Sequence, residues 1–213
     1  MFSHDVALAF AYTGAALGVV MVVPQLVRTA RHPALTGASP LTWALTALAC
    51  GLWLTYGVRT GTIPQIPGNV LLVSGAVAVS LLVPSPVSRW RRATYLALAA
   101  AALVAVAVSV PPHLIGYLAF AIGLTSVWPQ LFETLFRNKG TASAGLSISS
   151  WTTKVISQGC WLAYALLLTD IPVAISATVG VTTTLVVVWV ELSRRRVADF
   201  SNVPVLEPAS SAA

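Results

Sequence analysis

Seven long apolar runs follow one another along this chain, and they constrain its fold more than any other feature does. Each run is close to the roughly 20 apolar residues that an α-helix needs to cross a lipid bilayer. Because the bilayer interior offers the backbone no hydrogen-bond partners, a chain with such runs crosses it as helices. The sequence therefore predicts an all-α membrane protein. The predicted spans are residues 6–28, 41–58, 64–83, 93–110, 114–136, 148–168 and 171–192.

The composition agrees with a membrane protein and argues against several other classes. Hydrophobic residues make up 57% of the chain and charged residues 8%, against roughly 25% charged in a typical soluble domain. The net charge of +6 comes from short basic clusters between the apolar runs. A nucleic-acid-binding protein would instead carry a basic face, so no nucleic-acid partner is expected. The first run is too long for a signal-peptide core, and we expect it to stay in the mature chain.

Arginine and lysine in the short loops predict the orientation of the chain. Such residues favour the cytoplasmic side of a membrane. They follow the first, third, fifth and seventh spans, whereas the opposite side carries only Arg59. The sequence thus predicts a plasma-membrane protein with its amino terminus outside and its carboxyl terminus in the cytoplasm. The basic residues on the predicted inner side are Arg28, Arg31, Arg89, Arg91, Arg92, Arg137, Lys139, Arg194, Arg195 and Arg196.

An internal repeat divides the chain into two similar parts. One Pro-Gln pair recurs 105 residues later, and a longer string of Gly, Trp, Tyr, Ile and Pro recurs after 108 residues. Repeats of this kind reveal architecture directly. The matched residues are Pro24 and Pro129, Gln25 and Gln130, Trp43 and Trp151, Gly51 and Gly159, Trp53 and Trp161, Tyr56 and Tyr164, Ile63 and Ile171, and Pro64 and Pro172.

An odd number of helices follows from this repeat. A three-helix unit ends on the side opposite to its start, so one additional helix is needed for the two copies to run parallel. The run at 93–110 is almost pure Ala, Val and Leu and matches neither copy. We therefore predict two parallel three-helix bundles related by a pseudo-twofold axis, with a cavity between them. The predicted units are a first bundle (1–90), a linker helix (91–112), a second bundle (113–196) and a disordered cytosolic tail (197–213).

Each half resembles a semiSWEET unit, and the whole chain resembles a seven-helix transporter of the SWEET and PQ-loop family. The resemblance covers residues 6–192 and implies a facilitative uniporter of mono- or disaccharides that works by alternating access. Two alternatives stay open: a PQ-loop transporter of an amino acid or another small metabolite, and a membrane receptor that does not transport. The residues that carry the resemblance are Pro24, Gln25, Thr36, Gly37, Ser39, Gly51, Trp53, Tyr56, Gly57, Pro64 and Asn69.

The resemblance implies that Trp53 and Asn69 line a solute pocket. Trp161 repeats the tryptophan, but Ala177 stands where a second Asn would be. An indole can pack against a sugar ring and donate its N–H, and an amide can bind hydroxyls. Both tryptophans can equally serve in an interfacial belt or in core packing, and Asn69 can bond a neighbouring helix.

Ser157 and Gln158 are the candidates to replace the polarity that Ala177 lacks. Ser157 lies four residues before Trp161 and therefore on the same helical face. Small polar residues between membrane helices also serve as packing contacts, which is the alternative for Ser157.

Two Pro-Gln pairs are predicted hinges. Pro24 and Pro129 each remove a helical hydrogen bond and kink an apolar helix. The amides of Gln25 and Gln130 can serve the freed carbonyl groups. A static kink that shapes packing is the alternative.

An outer gate is predicted where the second helix of each half ends. Arg59 and Asp170 are expected to pair across the pseudo-twofold axis when the outer mouth is shut, joined by Tyr56 and Tyr164. The resemblance implies Tyr, Arg and Asp in this role. Exposed loop charges that pair weakly are the alternative.

Glu133 and Lys154 are the charges nearest the bilayer interior, and such charges indicate functional sites by default. They are expected to pair near the cytosolic mouth, or to extend to the interface. With no acid or histidine near the membrane centre, facilitated diffusion of a small neutral solute is the simplest expectation.

No enzyme is predicted, because the histidines lie at the edges of the membrane and no nucleophile and base stand together. No metal and no cofactor are expected. The fused chain contains both halves and can act alone or as a homo-oligomer. The histidines are His4, His32 and His113.

Overall fold

The computed structural model describes residues 2–32, 40–132 and 148–201. These residues form seven α-helices, one for each predicted span, and none of them lies in a β-strand. The all-α, seven-helix prediction is confirmed. The helices are α1 (Phe2–Arg31), α2 (Pro40–Thr60), α3 (Gln65–Leu82), α4 (Arg89–Ser109), α5 (Pro112–Phe132), α6 (Ile148–Leu168) and α7 (Ile171–Ser201).

Proline marks the beginning of several helices. α2 begins at Pro40, α5 begins at Pro112, and Pro172 is the second residue of α7. The first-turn N–H groups of a helix have no partner within that helix, so the missing N–H of proline costs nothing there. Proline is therefore tolerated where these three helices begin.

The helices have the length and composition of membrane spans. Five of them contain a stretch that is long and apolar enough to cross a bilayer, and α5 contains a shorter apolar stretch, Pro112–Thr125. Large apolar side chains such as Val104, Val108 and Leu166 are exposed on the outside of the bundle. Such a surface suits lipid and not water. The chain is therefore an integral membrane protein.

Helix contacts follow a twofold pattern. In the first half α3 contacts both α1 and α2, and in the second half α7 contacts both α5 and α6. Between the halves, α1 packs on α6 and α2 packs on α5. Each of these contacts has a counterpart when α1, α2 and α3 are exchanged with α5, α6 and α7. The fold is two three-helix bundles facing each other.

The linker helix α4 lies at the periphery. It contacts α2, α3 and α5, and none of its residues is buried. Its start is anchored by Arg92, whose Nη1 donates to the carbonyl of Val83 at 2.9 Å and to that of Ser80. Leu103 packs over Gly51 of α2.

The main core joins both halves at one end of the bundle. We call this the outer end, after the predicted orientation; it is where α2 turns into α3 and α6 turns into α7. Four of its nine buried residues are alanines, which let the helix backbones approach closely. The core residues are Ala7, Ala11, Leu52, Tyr56, Ile115, Ala119, Tyr164, Ala165 and Val173.

The carboxyl-terminal helix is longer than the sequence predicts. α7 continues to Ser201, through the first residues of the tail predicted at 197–213. Residues 202–213 lie outside the described residues, as do the loops 33–39 and 133–147.

Candidate functional site

Two matching turns shape the outer end. Gly61 after α2 has φ 72°, and Thr169 after α6 has φ 59°. A left-handed residue ends a helix; glycine adopts this conformation freely, whereas a β-branched threonine is strained there. In both turns the following N–H donates back to a helix carbonyl at 2.8 Å. These bonds run from Thr62 to Gly57 and from Asp170 to Ala165.

Hydrogen bonds cross between the halves at these turns. The hydroxyl of Tyr56 donates to Asp170 Oδ1 at 2.6 Å, and the hydroxyls of Tyr164 and Thr62 lie 3.2 Å apart. Each tyrosine belongs to one half and reaches the turn of the other. Both tyrosines are only 4% exposed. We call these two contacts the crossed tyrosine bonds, and together they close the outer end.

The predicted pair of Arg59 with Asp170 is not formed in this conformation. Arg59 Nη1 instead donates to the carbonyl of Ala107 near the end of α4. The last four carbonyls of a helix lack helical partners, which makes this one a ready acceptor. Asp170 accepts from Tyr56 and, at 3.3 Å, from the N–H of Val173. In this conformation Arg59 therefore ties α2 to the linker helix, and its part in a gate stays a prediction.

Beneath the closed end lies a cavity of about 180 Å³, which we call the first lobe. Its polar side chains are two indoles, three amides and one hydroxyl. It is lined by Gly14, Ala15, Gly18, Val19, Trp53, Pro64, Gln65, Gly68, Asn69, Leu72, Gln158, Trp161, Val173, Ser176 and Ala177.

A second cavity of about 160 Å³, the second lobe, adjoins the first. The two share Trp53, Gln158 and Ser176 in their linings. The second lobe is lined by Trp53, Ala119, Phe120, Gly123, Leu124, Lys154, Gln158, Ser176, Val179, Gly180 and Thr183.

The two lobes are related by the internal repeat. Four residues of α1 line the first lobe, and the four residues of α5 that follow them by 105 positions line the second. α1 therefore lines the first lobe with the same positions with which α5, its counterpart in the second half, lines the second lobe. The matched residues are Gly14 and Ala119, Ala15 and Phe120, Gly18 and Gly123, and Val19 and Leu124.

Aromatic contacts join the cavity to the closed end. Trp53 meets Tyr56 edge to face, with ring centroids 5.7 Å apart and an interplanar angle of 90°. Trp161 meets Tyr164 in the same way, at 5.7 Å and 86°. The indoles that line the cavity therefore touch the tyrosines that close its outer end.

Five of the six predicted pocket residues line the lobes: Trp53, Asn69, Trp161, Ala177 and Gln158. Their role in binding stays a prediction. One N–H of the Asn69 amide is used, because Nδ2 donates to the carbonyl of Gln65 at 2.8 Å. The second N–H and the carbonyl oxygen are the groups with which this amide can contact a solute.

Ser157 is placed differently from the other five. It is buried, and its hydroxyl donates to the carbonyl of Gly14 at 2.8 Å. This bond joins α6 to α1 across the two halves. Ser157 thus makes the interhelical packing contact that was its alternative role, and it is not among the lining residues.

Sequence reasoning missed two buried polar residues. Gln65 lines the first lobe, and its Oε1 lacks a hydrogen-bond partner in the described part of the chain. Its position four residues before Asn69, on the same helical face, was the available signal. Glu191 is fully buried in α7. An acid within the last predicted span is a functional candidate by default, and that signal was available too.

The predicted hinges and inner charge pair are only partly described. Pro24 and Gln25 lie within α1, and Pro129 and Gln130 within α5, but their side chains are outside the described part of the structure, so the hinges stay predictions. Glu133 also lies outside it. Lys154 lines the second lobe.

Over the described residues, no group of three or more His, Cys, Asp or Glu side chains is placed to hold a metal ion. The hydrogen-bonding groups that line the lobes are hydroxyls, amides, indoles and one ammonium. Such a set can bind a small polar solute.

Comparisons with known proteins show the fold. No protein-family model and no curated protein matches the chain. Among solved structures, the chain is similar to a eukaryotic SWEET transporter with a TM-score of 0.78 and 14% sequence identity. The match covers 92% of this chain and 100% of that one. The chain has the fold of a SWEET transporter.

Proposed function

We propose that this protein is a facilitative membrane transporter of a small polyhydroxylated solute, with mono- and disaccharides as the first candidates. The observation that carries the proposal is the two-lobed cavity between the halves, shut at one end by the crossed tyrosine bonds. A cavity closed on one side by contacts between two similar bundles is what alternating access requires.

The lining of the first lobe favours a sugar. Trp53 and Trp161 offer indole faces for the C–H surface of a ring, and Asn69 and Gln65 offer amides for hydroxyl groups. Each lobe is smaller than the roughly 300–1,000 Å³ of sites that hold drug-sized ligands. A monosaccharide fits within one lobe or across the region that the two lobes share, and a disaccharide needs both lobes.

The transport cycle follows from the two halves. Residues 1–90 and 113–196 act as bundles that rock against each other, with 91–112 as a passive linker. Opening of the outer end breaks the crossed tyrosine bonds, and bending at Pro24 and Pro129 closes the inner end. In the proposed orientation, in the plasma membrane, the amino terminus lies outside.

Uptake into proteoliposomes tests the proposal. The full chain is reconstituted and offered a panel of labelled sugars and amino acids. We expect saturable sugar uptake that stops when the inside and outside concentrations are equal. Trp53→Ala and Asn69→Ala should abolish it at normal protein levels, whereas Trp189→Ala, on the exposed surface of α7, should not.

Other outcomes would identify the alternatives. Uptake of amino acids without sugars would identify a PQ-loop transporter of that class, a possibility that the apolar Val173 and Ala177 in the first lobe leave open. Solute binding without uptake would identify a receptor.

A further inference from the structure

We propose that Lys154 makes the second lobe a binding site for a carboxylate, so that the solute of this cavity is an organic acid with a polar, uncharged remainder. This inference rests on the proposed transport function and narrows its substrate class from sugars in general to acids such as hexuronic acids.

Lys154 is the single charged residue among the described residues that line either lobe. It lies in α6, four residues before Gln158, and the two side chains share a helical face. Charges within membrane spans are rare and mark solute pathways. The charge of the cavity is therefore positive and is confined to the second lobe.

Among the described residues that line the lobes, no acid accompanies Lys154. Its Nζ lies 4.9 Å from the centroid of the Trp151 ring, a cation–π contact on the same helix. An aromatic face attracts an ammonium group but does not neutralise it, and an ammonium group has three N–H donors. A solute carboxylate carries the opposite charge and accepts these donors.

The two lobes together fit a solute with two chemically different ends. The first lobe is lined by uncharged side chains, with Gln65 and Asn69 as hydrogen-bonding amides. Gln158 lines both lobes and adjoins the cationic end. A molecule with hydroxyl groups at one end and a carboxylate at the other can contact both lobes at once.

The residue that corresponds to Lys154 in the first half shows that the fold does not require a lysine at this position. The position that precedes it by 108 residues is Thr46, which lines neither lobe and whose hydroxyl donates within its own helix to Thr42. The first half therefore folds without a cation at this place. Lys154 therefore breaks the twofold pattern of the repeat. We attribute this lysine to the cavity and not to the packing of the helices.

The test compares a hexose with its uronic acid in proteoliposomes of the full chain. Wild type is expected to take up the acid with an apparent affinity about 10- to 100-fold higher than the hexose, the range for a hydrogen bond to a charged group. Lys154→Met should bring this ratio close to one, and Lys154→Arg should retain part of it. Thr46→Met is the matched control and should keep the wild-type ratio.

A second measurement does not depend on any variant. Each transported acid carries one negative charge, so an inside-positive potential should accelerate acid uptake by wild type and leave hexose uptake unchanged. If Lys154→Met fails to fold, as judged by thermal unfolding, the wild-type ratio and this potential dependence decide the question.

The outcomes separate this inference from the proposed function. Equal affinities for acid and hexose in wild type, or a ratio unaltered by Lys154→Met, overturn the carboxylate site while transport stands. An amino acid whose uptake requires Lys154, with no uptake of the uronic acid, supports the carboxylate site and assigns it to an amino acid. Failure of folded wild type to move any of the three solutes overturns the proposed function itself.

Discussion

At the scale of single residues, the crossed tyrosine bonds differ in strength although their positions match. Tyr56 donates to a carboxylate at 2.6 Å, whereas Tyr164 and Thr62 form a neutral contact at 3.2 Å. Hydrogen bonds to charged groups contribute about 1.5–3 kcal/mol, and neutral ones about 0.5–1.5 kcal/mol. The Tyr56 bond therefore contributes more free energy to the closed state of the outer end than the Tyr164 bond does.

Tyr56→Phe should accordingly open the outer end more than Tyr164→Phe does. Since 1.4 kcal/mol is a factor of ten in population, we expect the outward-open fraction to rise about 10- to 100-fold for Tyr56→Phe and at most about tenfold for Tyr164→Phe. Spin labels at Ile63 and Ile171, both exposed, measure the opening as a longer distance. Cys50 and Cys160 are replaced beforehand. An equal effect of the two variants would contradict the assignment.

Gly180→Ala should damage the cavity through Gln158. An added Cβ would lie 2.9 Å from Gln158 Cδ and 3.0 Å from Nε2, so the amide must move within the region that the two lobes share. We expect solute uptake to fall severalfold, with a higher apparent KM. Gly159→Ala is the control, because nothing lies within 4 Å of its added Cβ. A loss of the same size in the control would indicate a general effect on α6 or α7.

Several residues of the candidate site could be predicted from the sequence, but their partners could not. The repeat identified two pairs of residues as candidates, because residues that correspond in the two copies occupy equivalent positions in the two halves. These pairs are Trp53 with Trp161 and Tyr56 with Tyr164. The partner of Arg59 depends on how α4 packs, and no repeat constrains a helix that occurs once.

At the scale of helices, the two halves are joined through α1 and α6. Ser157 donates to the carbonyl of Gly14, and an added Cβ at Gly14 would lie 3.1 Å from Trp161 Cδ1. The glycine thus lets α1 approach the indole and the hydroxyl of α6 closely. This contact holds one wall of the first lobe in place.

Ser157→Ala should therefore lower stability more than it alters binding. Loss of one buried hydrogen bond costs about 0.5–1.5 kcal/mol, because the Gly14 carbonyl lies inside α1 and keeps its helical partner. Thermal unfolding in detergent should show a lower Tm, with the apparent KM for the solute close to that of wild type. Ser74→Ala is the control, because that exposed hydroxyl bonds within its own helix. A raised KM at unchanged Tm would return Ser157 to the solute site.

Helix existence was predictable, whereas helix ends were less so. Apolar runs mark the part of a helix that lies in lipid, but backbone hydrogen bonding continues beyond it. α1 begins at Phe2 and α7 ends at Ser201, both outside the predicted spans 6–28 and 171–192. Hydropathy alone has no means to detect these extensions.

At the scale of the whole molecule, the two halves run in the same direction. The ends of α2 and α6 meet at the outer end, where each tyrosine bonds the turn of the opposite half. Two parallel three-helix copies require a linker with an odd number of membrane crossings. The single helix α4 is that linker, and it lies at the periphery. The sequence already predicted this arrangement, because parity follows from the number of spans and needs no side-chain detail.

Labelling from one side of the membrane tests the orientation. Single cysteines at Ile63 and Ile171, in the turns of the two halves, should both react with an impermeant thiol reagent added outside. Cysteines at Arg31 and Ser85 should be protected until the membrane is made permeable. Reaction of Ile63 and Ile171 from opposite sides would refute the parallel arrangement.

The first lobe is lined by polar residues on α3 and by apolar residues at the corresponding positions of α7, and this difference affects how a solute is oriented. The amides Gln65 and Asn69 on α3 face positions occupied by Val173 and Ala177 on α7. A dimer of identical chains would present the same wall twice and accept a chiral guest in two equivalent poses. In this chain the two walls differ, so the cavity can favour a single pose of a chiral solute.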